Sequence, residues 1–126
     1  MRIALVSAFF LIFCSPILAA AEAEFPSEFR GFWVGDQATC DALKKASPAD
    51  LHDGQRWLKI AATDILGTTQ GRLLRELPAP RAPVKRTFEF QIADDMGLIA
   101  QLSFVDRGLS ETVTGGHARR WYFKCF

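Results

Sequence analysis

Two cysteines constrain this chain more than any other feature. Cys40 lies near the start of what remains once an export signal is set aside, and Cys125 stands one residue from the end. In a compartment where thiols oxidise, two cysteines permit one intramolecular pairing, and that pairing draws the last residues back to the beginning of the domain. A domain of roughly a hundred residues buries only about 60 to 68% of its unfolded surface, so any restraint on the unfolded chain matters. Closing so long a loop stabilises by roughly 4 to 5 kcal/mol, comparable with the whole stability of a small domain. The alternative is a pair of free, buried thiols.

The export signal is read from residues 1–21. Arg2 supplies the positive start, and no charged residue follows from Ile3 to Leu18. Ala19-Ala20-Ala21 and Ala21-Glu22-Ala23 both satisfy the small-x-small rule for peptidase cleavage, and cleavage after Ala21 is the expectation. The apolar run is shorter than the roughly 20 residues a bilayer span requires, and Pro16 interrupts its end, so no stable membrane anchor is expected. Phe13 precedes Cys14 where a lipidation signal has a small residue, which argues against lipidation. The protein is therefore expected outside the cytoplasm, periplasmic or extracellular, with residues 22–28 as a flexible tail and residues 29–126 as one domain.

Charge narrows the partners. Lys and Arg number 15 against 14 Asp and Glu, and loss of Arg2 with the signal leaves none in excess. A nucleic-acid binder needs surplus cations to displace counterions, so nucleic acid is not an expected partner. The stretch Arg72, Arg75, Arg81, Lys85, Arg86, relieved only by Glu76, is a local basic patch, read as a solvated strand and loop or as a docking surface for acidic groups.

Alternation dominates the mature chain. Phe29-Arg30-Gly31-Phe32-Trp33-Val34 reads as a first strand ending at Gly35-Asp36. Residues 37–46 form a short helix, capped by Asp36 or Thr39 and stopped by Ser47-Pro48, with Cys40 on its inner face beside Leu43. Residues 57–61 and 70–77 follow as strands, with Gly67, Thr68 and Thr69 turning the chain between them. Pro78, Pro80 and Pro83 then exclude a sheet interior. Phe88, Phe90 and Ile92 alternate with polar residues, Asp94 to Gly97 turn, and Leu98, Ala100, Leu102 and Phe104 alternate back. Leu109 to Thr114 and Ala118 to Cys125 make a last pair about Gly115-Gly116, with Trp121, Phe123 and Cys125 on one face. The pattern predicts a mostly β domain: a small antiparallel barrel of about six to eight strands, one short N-terminal helix and one disulfide, with a sandwich as the alternative. Trp33, Trp57 and Trp121 are the expected core tryptophans, and alternation places Phe32 opposite Trp33.

Catalytic patterns are sparse. There is no Gly-x-Ser-x-Gly elbow, no Ser-x-x-Lys pair and no glycine-rich phosphate loop. The histidines, His52 and His117, lack a second ligand at metal spacing, so no metal and no cofactor are expected. An enzyme would need dispersed residues, such as His117 beside Glu111 or Asp106.

Gly31-Phe32-Trp33 near the start and Arg119-Arg120-Trp121 near the end resemble the barrel-closing signature of lipocalins and the wider calycins. The resemblance implies that Trp33 plugs one barrel end while Arg119 or Arg120 caps it through cation–π attraction. In size, export signal and Gly-x-Trp strand the chain is also similar to the Inh-type periplasmic metalloprotease inhibitors. That likeness implies a mobile N-terminal tail, here Glu22 to Glu28, entering a protease cleft, although a Cys40–Cys125 bridge departs from that family's. The early Trp and Cys and the closing Phe123-Lys124-Cys125 resemble a class of small secreted bacterial proteins, which implies compartment and fold but no activity.

Two functions follow. The first is a monomeric, noncatalytic exported domain that binds or inhibits a protein partner not named by the sequence. The second is a small lipocalin-like carrier with an apolar cavity among Phe88, Phe90, Ile92, Leu102 and Phe104.

Overall fold

The computed structural model describes residues 23–78, 81–93, 98–113 and 118–126. The expected export signal, with Cys14 and the cleavage site after Ala21, lies outside these residues. So do Glu22, Pro80, the turn Asp94 to Gly97, Thr114, the turn Gly115-Gly116, and His117.

Eight strands form a closed antiparallel barrel in which each pairs with its neighbour in sequence and the last returns to the first. They are β1 (Gly31–Val34), β2 (Trp57–Ile60), β3 (Asp64–Gly67), β4 (Gly71–Glu76), β5 (Arg86–Ile92), β6 (Ile99–Val105), β7 (Gly108–Val113) and β8 (Arg119–Lys124). One helix, α1 (Gln37–Lys45), lies between β1 and β2. The expected mostly β barrel with its short helix is what forms, and it is closed rather than a sandwich.

The interior follows from the alternation. Phe88 and Phe90 on β5 and Ala100, Leu102 and Phe104 on β6 turn inward and are fully buried. Leu58, Ile60, Ile65, Leu73, Leu109, Tyr122 and Trp33 complete this core. β4 has one extra residue opposite β5, between Leu73 and Arg75, and the displaced Leu74 is left exposed.

β3 went unread because Asp64–Gly67 is only four residues long and pairs with β4 through just Asp64↔Arg72 and Ile65↔Gly71. Its buried and exposed positions alternate nonetheless.

The segment expected as a free tail is packed instead. The Phe25 amide donates to the Ala62 carbonyl at 2.8 Å, and the Phe25 ring is fully buried 5.0 Å from that of Phe88. The chain then crosses the barrel end in a single 3-10 turn, Ser27–Phe29, which stacks Phe29 on Phe104 with centroids 4.0 Å apart. Trp33 Nε1 donates to the Phe29 carbonyl at 2.9 Å. An apolar ring inside a barrel removes more surface from water than one in a solvated tail, which is why Phe25 is drawn in.

A second, smaller core lies outside the barrel. Asp36 caps α1 by accepting from the Thr39 amide at 2.7 Å, and that bond holds its carboxyl below the ordinary value. Cys40 and Leu43 on the inner face of α1 cover Val34, with Phe32, Trp57, Phe123 and Cys125 around them. Cys40 and Cys125 are joined, with Cα atoms 5.5 Å apart. Trp57 is thus half-buried in the outer layer. Trp121 departs further from expectation: it shares an outward face with Phe123 and Cys125, but α1 does not reach it and it is 50% exposed. An outward-facing residue is core only where another layer lies over it.

β1 and β8 pair only through Trp33↔Lys124 and Val34↔Phe123. The seam extends through Phe32 N to Phe126 O and Cys125 N to Phe32 O, both 2.7 Å. Gly31 sits at φ +126°, and a Cβ there would come 2.5 Å from the Phe126 carbonyl oxygen, so glycine is what lets the C-terminus lie against β1. Because the disulfide spans 85 residues and anchors this short seam, its reduction is expected to lower unfolding stability by about 4 to 5 kcal/mol. Urea titrations with and without reductant, under thiol block, measure that difference.

Candidate functional site

The expected closing set does not assemble as a unit. Trp33 is inside the barrel, edge-on to Phe104 at 5.4 Å, and its β8 neighbour is Lys124. Arg119 and Arg120 lie at the other end of β8, roughly 13 Å along the strand from Lys124. Arg119 instead sits 6.0 Å from the outward ring of Trp121, and Arg120 faces Glu111. Antiparallel register explains this, since the start of β8 pairs with the end of β7 while only its end meets β1. At the Trp33 end the cation over aromatic rings is Arg86, 5.9 Å from Phe29 and 5.4 Å from Phe88.

The opposite mouth contains a buried acid. Glu111 on β7 is 1% exposed, accepts a hydrogen bond from Thr69 Oγ1 at 3.2 Å, and faces Arg120 Nη1 at 4.0 Å. Its Oε2 is buried without a hydrogen-bond partner among the described residues, and the neighbouring Tyr122 hydroxyl is buried near Arg120. Arg56 closes over the Tyr122 ring at 5.5 Å. Burial pushes the Glu111 carboxyl above its ordinary value, against the opposing pull of Thr69, Arg120 and Arg56. Burial, and then the charge of Glu111, push the Tyr122 hydroxyl up to about 12. Glu111 is the residue weighed as a partner for His117, which lies outside the described residues. Asp106, the other such candidate, is at the opposite barrel end and is held by Lys85 at 3.0 Å. His52 is exposed, and its amide donates to Gln55 Oε1 at 2.8 Å. No group of three or more potential metal ligands occurs among the described residues.

The basic stretch is largely neutralised across strands. Arg75 pairs with Glu89 at 2.8 Å, Arg86 with Glu76 through two bonds of 2.6 Å, and Lys85 with Asp106. Glu76 lies within the stretch and Glu89 just beyond it on the neighbouring strand, while Asp106 comes from the turn after β6, so pairing across strands decides how much of the charge stays free.

The feature the sequence concealed is a groove of about 550 Å³ on the barrel wall, where the thin β3–β4 pairing passes between β2 and β5. Ala61, Ile65, Leu66 and Ile92 give it an apolar lining, flanked by Lys59, Asp64 and Arg72. Leu66 is 48% exposed there. Gly71 permits the close approach of β4 to β5, since a Cβ would meet the Gln91 oxygen at 2.2 Å and Phe90 at 2.7 Å. The alternation within β3 was the available signal, because it places Leu66 outward and Ile65 inward.

No family model, curated protein or solved structure matches the chain.

The buried acid has a measurable consequence. A carboxyl whose folded pKa is raised contributes stability that is complete below the unfolded value, 4.5, and is lost as pH rises through the folded value. Glu111→Gln keeps an acceptor for Thr69 without the charge. It is expected to unfold at higher urea than the native chain at pH 7, with the gap closing as pH falls below 4.5. A gap independent of pH would assign the effect to packing.

Proposed function

We propose that the protein is a noncatalytic, exported domain that binds an extended segment of a partner protein through the β2–β5 wall. The observation that carries this reading is the groove beside exposed Leu66, where a mostly apolar lining sits between Lys59 and Arg72. Contiguous exposed apolar surface rimmed by polar groups is characteristic of interaction sites. The narrow β3 offers an extended partner chain a shallow trough with side-chain pockets.

The carrier reading draws less support. Phe88, Phe90, Leu102 and Phe104, which a ligand would have to displace, are fully buried, and Phe88 meets Phe104 edge-on at 5.7 Å. Recognition by an inhibitor-like tail is also disfavoured, because withdrawing Phe25 would uncover the barrel end. Export is supported by the leader-like composition of residues 1–21 and agrees with a disulfide.

Intact mass of the exported chain is expected to correspond to a start at Glu22 with no alkylatable thiol before reduction. A full-length mass with free thiols would overturn the compartment. For the groove, a photo-crosslinking residue at Leu66 is expected to capture a protein of discrete mass in the producing cell, while the same residue at exposed Gln101 does not. Leu66→Asp should weaken binding of the captured protein by about tenfold, as loss of a buried leucine contact does, with the thermal midpoint unchanged. Equal capture from both positions, or binding of one fatty acid per barrel with no protein capture, would overturn the assignment.

A further inference from the structure

The barrel end crossed by the Ser27–Phe29 turn carries a second recess, of about 400 Å³, distinct from the groove. Phe29 and Trp33 line it, with four cations, Lys85, Arg86, Arg107 and Lys124, against two acids, Glu28 and Asp106. Two of the cations are already held, Lys85 by Asp106 and Arg86 by Glu76. Lys124 Nζ donates at 2.9 Å to the carbonyl of Glu28, whose carboxylate acts through space on Arg86 and makes no ion pair with Lys124. Arg107 is exposed, makes no side-chain hydrogen bond or ion pair among the described residues, and acts through space on Asp106, which Lys85 already holds.

The backbone at Arg107 is the second observation. Asp106 and Arg107 turn the chain between Val105 and Gly108, and Arg107 has φ +69°. A side chain in this left-handed region costs roughly 1 kcal/mol relative to glycine. A turn that served only to join β6 to β7 would be more stable with glycine, so the strained position holds a guanidinium at some cost to the fold.

We infer that this recess is a binding site for the carboxylates of an acidic peptide, with Arg107 and Lys124 as its anion-binding groups. The guanidinium offers paired donors to a carboxylate, the ammonium adds charge, and Phe29 provides an apolar surface for the stem of a glutamate side chain. Arg86 and Lys85, fixed by their own acids, shape the rim without being consumed by the ligand. This inference is independent of the groove: it holds whether or not Leu66 touches a partner.

The test is fluorescence anisotropy of a labelled hexaglutamate peptide on the exported, oxidised protein. Binding is expected at about 20 mM salt and a marked loss at about 200 mM. Arg107→Gly should weaken binding about fivefold while its thermal midpoint stays level or rises, because glycine suits φ +69°. Lys124→Gln should weaken it similarly, and Arg119→Gln, at the other barrel end, should leave it unchanged. Inorganic phosphate at matched ionic strength should compete no better than chloride. Native affinity in Arg107→Gly, an equal loss in Arg119→Gln, or displacement by phosphate would each overturn the assignment, the last by making the site a phosphate site.

Discussion

The structure depends on how β1 meets β8. Seven of the eight strand pairings join elements consecutive along the chain, whereas the eighth brings together its two ends through two residue pairs and a few flanking hydrogen bonds. Such a contact has the highest closure entropy in the molecule and a ladder as short as that of β3 and β4 to offset it. The disulfide addresses that deficit. It joins α1, which follows β1 directly, to the residue following β8, so the covalent bond clamps the same seam that the hydrogen bonds close. The outer core of Val34, Leu43, Phe32, Trp57 and Phe123 lies around it and keeps water from the ladder.

This arrangement explains what was legible in the sequence. The β5–β6 hairpin was plain because both faces are simple: Phe88, Phe90, Leu102 and Phe104 point into the barrel, and their neighbours point out. The cysteine pairing was legible because no other pair remained once the expected signal was set aside. Trp121 was misread because alternation reports which face a residue occupies, not what covers that face. β3 was missed for a related reason, as four residues carry too few periods to stand out. Phe25 was assigned to a tail because sequence distance from the first strand says nothing about an open barrel end nearby. The closing arginines were misplaced because register, not composition, decides which β8 residue stands beside Trp33.

The candidate sites were less legible than the fold. Leu66 lies in the strand that went unread, so its groove could not be drawn. Arg107 looked like one charge among many, since its left-handed backbone exists only in three dimensions. Glu111 was named as a candidate beside His117, but its burial opposite Thr69 depends on a turn from the far side of the barrel.

The two barrel ends differ in kind, and the difference bears on function. At one end Phe25, Phe29 and Trp33 fill the opening of the barrel and leave a recess outside it, lined by aromatic rings and cations. At the other, Glu111 and Tyr122 are buried below Arg56 and Arg120, and Glu111 Oε2 has no hydrogen-bond partner among the described residues. Polar atoms without a partner are expensive in a low-dielectric core, so the Glu111 carboxyl is held nearer its neutral form than a solvated one. The β3–β4 turn links that mouth to the groove: Thr69 reaches inward to Glu111 while Leu66 and Gln70 line the wall outside. A change in how Glu111 holds Thr69 would therefore be felt at the groove, whereas the cationic end, tied to β1 and the clamped seam, would be insulated from it.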